Sequence, residues 1–324
     1  MILHNTDFGH ILVGSGTQGF FGEGYPFHKI LKPFGLNFEG YTFVAKTTTL
    51  RPRKGNLPLK TDGITPEELF PDCIKVYFRK GVVLNAVGLS GPGAKFLFED
   101  GRWQKIKKPF FISFMAVGES FEIRYLEAIN FAILFKKYLP SFSAPVGLQI
   151  NFSCPNVKVG LKIPDPKIQA EEMRAILGII SSYAPIPLMP KINVLTPVEV
   201  AKEIADDPNC DALCISNTIP WGALPHKINW KKIFGTDISP LAHLGGGGLS
   251  GKPLLPIVAE WVVNARKSGI KKPISTGGGI LSLDDVNVLK DAGASSVSVS
   301  SVAILRGWRV NKIIRRANEI FGGE

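Results

Sequence analysis

Cys154 is the side chain in this sequence that is best suited to act as a general base or a nucleophile. It lies in the segment 151–156, NFSCPN, where Pro155 restricts the backbone beside the thiol. A thiol is inert when it is buried in apolar surroundings, but near cations it ionises and can accept a proton. The segment therefore predicts proton-transfer chemistry at Cys154. The structural alternative is a small apolar side chain packed under a loop.

Two lysines lie at the ends of apolar, β-like segments. Lys46 follows Phe-Val-Ala and Lys191 follows Leu-Met-Pro. A lysine in such a segment is costly to bury unless it meets an anion, although it can also extend to solvent. Because two such lysines occur together with a candidate phosphate site, an anionic cofactor is the better interpretation.

The candidate phosphate site consists of glycines and serines near the C-terminus. Gly277, Gly278 and Gly279 follow one β-like segment, and Ser300 and Ser301 follow the next. Glycines allow backbone N–H groups to approach an anion, and phosphate sites are common at this position in TIM barrels. These glycines can also serve only as tight turns. The pattern predicts a phosphorylated ligand without identifying it.

Asparagines form the third group of candidate site residues. They are Asn85, Asn151, Asn156 and Asn217, each at or just after a β-like segment. Each of them alone is a plausible turn residue. Together their amides, which both donate and accept hydrogen bonds, predict a planar heterocycle with alternating C=O and N–H groups.

These residues must be positioned by alternating strands and helices. The strands are predicted at 43–47, 85–89, 110–117, 146–154, 188–193, 212–218, 273–276 and 296–300. The helices are predicted at 121–138, 167–183, 197–205, 254–267, 283–291 and 302–320. Such alternation favours a parallel sheet, and eight units without a break in composition favour closure. We expect an α/β fold: a single (β/α)₈ TIM-barrel domain over residues 1–324, with an N-terminal extension and a mobile lid at 219–249.

Composition excludes several other classes of protein. The 324 residues carry a net charge of +11, but the lysines are dispersed, and no zinc-finger or RNA-binding motif occurs, so nucleic acid is not expected. The four cysteines form no disulfide framework, and no signal peptide precedes them, which predicts a cytoplasmic protein. Cys210 and Cys214 lack partner histidines, so we expect a structural role and no metal. No apolar run is long enough to span a bilayer, and no membrane association is expected.

The motifs resemble those of the dihydroorotate dehydrogenases, in the same order along nearly the whole chain. The matching segments are 46–56 (KTTTLRPRKGN), 85–89 (NAVGL), 151–157 (NFSCPNV), 216–218 (SNT), 247–251 (GGLSG) and 277–280 (GGGI). The resemblance implies FMN-dependent oxidation of dihydroorotate to orotate in pyrimidine synthesis. In this family the base takes a proton from carbon-5 while a hydride leaves carbon-6 for flavin nitrogen-5.

The resemblance also implies a class and a set of contacts. Cys154 and the lack of an N-terminal membrane segment indicate the soluble class 1, whereas 248–253 is more similar to the membrane-bound class 2. The implied pyrimidine contacts are Lys46, Asn85, Gly88, Leu89, Asn151, Asn217 and Thr218. The implied FMN contacts are Ser15, Lys46, Thr47, Asn151, Lys191, Ser216, Gly251, Gly278, Gly279, Ser300 and Ser301. Lys191 is expected to stabilise the reduced, anionic flavin.

The sequence departs from the family pattern at three places, of which positions 90–91 and 115 keep another substrate open. Ser90 and Gly91 follow Gly-Leu, Met115 replaces an expected Asn, and Ser300-Ser301 replaces Gly-Thr. The alternatives are a flavin enzyme for another dihydropyrimidine and a flavoprotein subunit without its own turnover. The family commonly forms homodimers. The electron acceptor stays open between fumarate and NAD reached through a separate iron–sulfur and FAD subunit, because this chain has too few clustered cysteines for its own cluster.

Overall fold

A computed structural model describes residues 1–153 and 166–323. The strands in chain order are β1 (Ile2–Leu3), β2 (Thr6–Asp7), β3 (Ile11–Val13), β4 (Ile74–Tyr77), β5 (Val82–Asn85), β6 (Phe110–Phe114), β7 (Val146–Asn151), β8 (Leu188–Ile192), β9 (Leu213–Ile215), β10 (Ile219–Pro220), β11 (Gly248–Gly251), β12 (Ile274–Gly277) and β13 (Ser296–Val299). The helices are α1 (Pro26–Leu31), α2 (Ala94–Asp100), α3 (Phe121–Tyr138), α4 (Pro166–Tyr183), α5 (Val198–Ala205), α6 (Trp230–Phe234), α7 (Leu254–Lys267), α8 (Asp284–Asp291), α9 (Ser301–Leu305) and α10 (Val310–Gly322).

Seven of the described strands form a curled parallel sheet. Their order is β3-β13-β12-β9-β8-β7-β6, and every neighbouring pair is parallel. Strands such as β6 and β7 are buried along their entire length. Burial on both faces explains why these strands read as continuous apolar runs rather than as alternating patterns. The predicted α/β class is confirmed.

The segment 42–48 lies between the two edge strands of this sheet. Thr42 bridges to Leu12 in β3, while Val44 and Thr48 bridge to Phe111 and Phe114 in β6, all in parallel orientation. The predicted strand at 43–47 therefore does not form as a regular strand. The segment pairs with both neighbours through isolated bridges only. The segment thereby places Lys46 and Thr47 beside the carboxyl ends of its neighbours.

The N-terminal residues form a small antiparallel hairpin of β1 and β2. Met1, Leu3 and Phe8 pack in one buried cluster with side chains of the sheet, among them Phe111 and Met189. The rings of Phe8 and Phe111 are 4.4 Å apart between centroids. Because Phe111 and Met189 lie near the amino ends of their strands, this cluster covers the end of the sheet away from the polar residues.

A second sheet changes the assignment of one predicted strand. Among the described residues, β10, β11, β5 and β4 form an antiparallel sheet in that order. The prediction of a strand at 85–89 is wrong: the strand ends at Asn85 and belongs to this antiparallel sheet, and Gly88 and Leu89 beyond it have positive φ angles that a strand does not adopt. The parallel sheet instead uses Ile11–Val13, three buried residues that we did not predict as a strand.

The predicted helices agree closely with the structure except at the C-terminus. Helices α3 and α7 have the predicted bounds, but the helix expected at 302–320 is divided into α9, a 3₁₀ turn and α10. A Cβ atom at Gly307 would lie 2.9 Å from Cδ1 of Leu31, so α1 approaches the chain at the break. Among the described residues, no helix has both the length and the apolar character needed to cross a bilayer.

Candidate active site

The predicted site residues meet at one cavity of about 200 Å³ at the carboxyl ends of the parallel strands. The predicted residues that line it are Ser15, Lys46, Thr47, Asn85, Gly88, Leu89, Asn151, Lys191, Ser216, Asn217, Thr218, Gly278, Gly279, Ser300 and Ser301. Gly251 is not part of the lining. Cys154 and Asn156 lie outside the described residues. The carboxyl face is where the active sites of barrel enzymes are found.

The two lysines of the cavity are almost completely buried. Lys46 and Lys191 are each only 7% exposed. The Lys46 ammonium donates a hydrogen bond to the carbonyl of Ser90 and lies 4.6 Å from the centre of the Phe20 ring. Lys191 is held in β8 between Asn151 of β7 and Cys214 of β9. Two buried cations on one cavity create a strong attraction for an anion, because desolvation strengthens Coulomb interactions.

Hydroxyl and amide side chains connect the strand ends across the cavity. Thr47 Oγ1 lies 2.8 Å from Ser15 Oγ and accepts a hydrogen bond from Asn151 Nδ2 at 3.4 Å. Asn217 Nδ2 donates to Asn151 Oδ1 at 2.8 Å and to Ser153 Oγ at 3.0 Å. Since Ser153 directly precedes Cys154 in the chain, this network reaches the start of the segment that carries the predicted base.

The glycines of the candidate phosphate site have backbone conformations and close contacts that leave no room for a side chain. Gly278 and Gly279 have φ angles of +132° and +84°, which L-amino acids with side chains rarely adopt. A Cβ atom at Gly279 would lie 2.9 Å from both Gly251 O and Leu255 N. Gly251 itself is required by packing, because its Cβ would lie 2.2 Å from the carbonyl of Gly81. This contact explains why Gly251 supports the site without lining it.

The turn after β5 holds a strained residue at the cavity. Leu89 has a φ angle of +60°, and Gly88 before it has +69°. Strain in a residue other than glycine persists only where its surroundings fix it. Here Arg53 Nε donates to Gly88 O at 3.0 Å, and Asn56 N donates to Val87 O at 2.9 Å. The loop that follows Lys46 therefore holds the turn at Gly88 and Leu89 in place through hydrogen bonds.

The departures at Ser90 and Gly91 have structural explanations away from the cavity lining. Ser90 Oγ accepts a hydrogen bond from Leu57 N at 3.0 Å, and the Ser90 carbonyl accepts the bond from Lys46. A Cβ atom at Gly91 would lie 2.6 Å from the Phe20 ring. Ser90 thus provides the carbonyl that binds Lys46, and Gly91 leaves room for the Phe20 ring that lies beside Lys46.

Met115 also lies away from the main cavity. It lines a separate cavity of about 80 Å³, which shares Asn151 with the main one and contains Arg124 and Glu172. Arg124 Nη2 donates to Glu172 Oε2 at 2.6 Å. The missing asparagine at position 115 therefore removes no group from the lining of the main cavity.

The three described cysteines have environments that disfavour the thiolate. All are buried, and burial raises the pKa of Cys73 to about 11 and that of Cys210 to about 12. Burial also raises the pKa of Cys214, although Lys191 opposes the shift. Among the described residues, no group of His, Cys, Asp or Glu is arranged to hold a metal ion. Thiols of this kind are structural rather than reactive.

Part of the lining was not predicted from the sequence. These residues are Gly16, Thr17, Tyr25, Phe27, Ile74, Val83, Val87, Ser250, Leu254, Ile280, Ser298, Val299 and Ile304. Most are apolar, and an apolar residue that faces a ligand has the same pattern as one that faces the core. Ser298 offered a signal, since it lies near the carboxyl end of β13, two residues before Ser300, which directly follows that strand.

Comparison with known proteins decides the family. Residues 9–321 match the family model described as dihydroorotate dehydrogenase. The chain belongs to the dihydroorotate dehydrogenase family. It is thus an enzyme of a family of flavin-dependent oxidoreductases of pyrimidine biosynthesis, which use FMN in general. No curated protein sequence matches the chain significantly.

Solved structures of similar fold include two of DHODH from Eimeria tenella. The ligand-free form has a TM-score of 0.68 at 19% identity and covers 99% of this chain and 86% of that chain. The complex with ferulenol has a TM-score of 0.63 at 19% identity, with 95% and 79% covered. At this identity the likeness concerns the fold.

Proposed function

We propose that this protein binds FMN in the main cavity and oxidises dihydroorotate to orotate, with Cys154 as the general base. The observation that carries the proposal is the meeting of two buried lysines, an asparagine pair and a glycine turn without side chains at one cavity. Cations, amides and exposed backbone N–H groups are the groups that a phosphorylated, heterocyclic cofactor requires.

The lining residues fit FMN by their chemistry. Gly278 and Gly279, which line the cavity with backbone atoms, and Ser300 and Ser301 would hold the phosphate. Lys191 would face the ring and balance negative charge that develops there. Bound FMN supplies the acceptor for the hydride from the substrate.

The protein's own groups would carry the proton transfer and the orientation of the substrate. Asn85, Asn151 and Asn217 would hold the pyrimidine by hydrogen bonds, and Cys154 would take the proton from carbon-5. The raised pKa values of Cys73, Cys210 and Cys214 make these thiols unsuitable as bases at neutral pH, which favours Cys154.

Two features favour dihydroorotate over another dihydropyrimidine. Ser90, Gly91 and Met115 are the departures that raised the alternative, and none of them lines the main cavity. The lining retains the residues that the family pattern implies for the pyrimidine. A protein that reduces its flavin with dihydrouracil but not with dihydroorotate would favour the alternative.

We further assign the protein to class 1, because a cysteine occupies the position of the base. This class implies a cytoplasmic protein, a homodimer, and either fumarate or a partner iron–sulfur and FAD subunit as the electron acceptor. Activity with fumarate alone would identify fumarate as the acceptor. Activity only when the partner subunit and NAD are added would identify the partner subunit. A Cys154→Ser variant with undiminished activity would contradict the assignment to class 1.

The barrel and the lid are also part of the proposal. Bridges of the segment 42–48 to both edges of the seven-stranded sheet favour closure into a single (β/α)₈ barrel.

Thr218 and Ser250, which flank the insertion 219–249, line the cavity, which favours a lid. Its core is packed, with the Trp221 and Trp230 rings 4.8 Å apart, so it would move as a unit. Proteolysis of this insertion that orotate does not slow would contradict the lid.

Anaerobic reduction of the flavin by dihydroorotate tests the main proposal. We expect a yellow protein that releases FMN on denaturation and a visible spectrum that bleaches when dihydroorotate is added. Cys154→Ala should keep FMN and bind orotate, yet reduce the flavin about 10²–10⁴-fold more slowly. Cys210→Ala, which removes a buried thiol outside the cavity lining, is the matched control and should reduce at the normal rate.

Two outcomes would overturn parts of this proposal. A colourless protein that cannot be reconstituted with FMN would exclude the flavin chemistry as a whole. A Cys154→Ala variant that reduces within a few-fold of the wild-type rate would remove Cys154 from the mechanism and leave the flavin site intact.

A further inference from the structure

Ser113 is a buried hydroxyl that contacts the site only through other side chains. It lies in β6, is 0% exposed and does not line the cavity. Its Oγ lies 2.9 Å from Oγ1 of Thr47, which does line the cavity. Ser113 and Thr47 thus extend the network of Ser15, Asn151 and Asn217 into the interior of the sheet.

Counting hydrogens fixes the direction of every bond at Thr47. Ser15 Oγ lies 3.0 Å from the carbonyl of Ala45, which can only accept, so the Ser15 hydrogen points there. Ser15 must then accept from Thr47, which uses the single Thr47 hydrogen. Asn151 Nδ2 can only donate to Thr47, and the second lone pair of Thr47 accepts from Ser113. The Thr47 hydroxyl is therefore saturated by protein groups.

Backbone N–H groups show which atom of each amide is the oxygen. Ser153 N donates to Asn151 Oδ1 at 3.3 Å, and Thr218 N donates to Asn217 Oδ1 at 3.2 Å. Flipping Asn151 would oppose its Nδ2 to two donors, and flipping Asn217 would oppose Nδ2 to one donor and Oδ1 to the oxygen of Asn151. Counting only partners among residues 1–153 and 166–323, Asn151 therefore keeps one N–H for a ligand, whereas Asn217 has used both N–H groups and keeps an acceptor lone pair.

We propose that Ser113 is a positioning residue: by donating to Thr47 it holds in place the hydroxyl that accepts from Asn151, so that the second N–H of Asn151 is offered to the ligand beside an acceptor on Asn217. This inference rests on the proposed function and deepens it. The ligand edge at this place must carry a C=O next to an N–H, as a cyclic amide or ureide does. A ligand that lacks either group leaves a polar side chain unmatched.

The test compares Ser113→Ala with Ser275→Ala. Ser275 is also 0% exposed and lies in β12 of the same sheet, but its Oγ has no hydrogen-bond partner among the described residues. The dissociation constant of orotate for the FMN-loaded protein, and that of FMN for the apoprotein, are measured by titration. Loss of one hydrogen bond corresponds to about 3- to 10-fold. Ser113→Ala should weaken at least one of the two ligands by this factor, and Ser275→Ala should weaken neither.

A double-mutant cycle with Asn151→Ala separates positioning from a general structural effect. If Ser113 acts through Asn151, Ser113→Ala should have no further effect on ligand affinity in the Asn151→Ala background. Additive losses would overturn the inference. If Ser113→Ala fails to fold, Ser113→Cys replaces it in the cycle, because the thiol fills the site but donates much more weakly than the hydroxyl.

The failure of this inference differs from the failure of the proposed function. A wild-type protein that binds neither FMN nor orotate would overturn both. A wild-type protein that binds them, with Ser113→Ala indistinguishable from Ser275→Ala, would overturn only the role of Ser113.

Discussion

The cavity has two halves that differ in origin and in chemistry. The polar half comes from the carboxyl ends of the parallel strands and carries Lys191, Asn151 and the Gly278–Gly279 turn. The more apolar half comes from the start of α1 and from the antiparallel sheet, and includes Phe27 and Val83, although the same sheet also brings Asn85 and Ser250 to the cavity. The comparison indicates that the two halves have different roles in ligand binding. The polar half matches the charges and hydrogen bonds of the ligand, while the apolar half excludes water and so strengthens those interactions.

The largest effect should follow from removing a charge in the polar half. We expect Lys191→Ala to slow flavin reduction about 10²-fold or to weaken flavin binding, because a fixed cation in a dry site is poorly replaced by water. Stopped-flow reduction and flavin content are the measurements. Lys202→Ala, which removes an exposed lysine paired with Asp206, should change neither. Unchanged flavin content and kinetics in Lys191→Ala would assign that lysine a purely structural role.

A smaller effect should follow from adding one methyl group at the glycine turn. Gly279→Ala brings a Cβ within 2.9 Å of backbone atoms, and we expect FMN affinity to fall about tenfold. The matched control is Gly269→Ala, which has a similar φ of +93° with nothing within 4 Å. Both variants should lose about 1–2 kcal/mol of unfolding free energy through backbone strain. Equal FMN affinity in the two variants would mean that the turn does not contact the cofactor.

In the apolar half we expect an effect of pH on stability rather than on ligand binding. His28 of α1 is 4% exposed beside Phe27, and burial lowers its pKa from 6.5 to about 4. At pH values between 6.5 and about 4, His28 takes up a proton in the unfolded chain but not in the folded protein. The free energy of unfolding should therefore fall as the pH falls. The slope is at most about 1.4 kcal/mol per pH unit. Urea unfolding from pH 7 to pH 4 measures it.

Two variants sharpen this prediction. His28→Gln should remove the contribution of His28 to the slope, and its side-chain oxygen can still accept the hydrogen bond that Tyr25 N gives to Nδ1. His10, whose pKa is also lowered by burial, keeps its own contribution of the same sign. His226→Gln changes an exposed histidine and serves as the control. An unchanged slope in His28→Gln would place the titrating group elsewhere.

The polar half could be predicted from the sequence because its residues are out of place in a strand. Lysines and amides at the ends of apolar segments have few structural explanations, and the parallel sheet brings them together. The apolar half could not be predicted, since Val83 and Ile74 have the same alternation whether they face a ligand or a core. Resemblance to a family supplied the role of Cys154, which stays a prediction.

Some elements escaped prediction for physical reasons. Ile11–Val13 is only three residues long, too short for a periodic signal, and its strand character comes from pairing with β13. The segment 85–89 is apolar like a strand, but the left-handed Leu89 is held by long-range hydrogen bonds of Arg53 and Asn56 that no local pattern reveals.

The pairing of β5 with β11 has a consequence for the order of folding. Asn85 reaches the cavity beside Gly248, 163 residues further along the chain. Contacts between such distant segments carry a large loop-closure entropy and form late, after the local helices and neighbouring strands. We therefore expect FMN to bind only at the final stage of refolding, so that added FMN raises the yield without accelerating the earliest kinetic phase. Faster formation of far-UV circular dichroism in the presence of FMN would contradict this order.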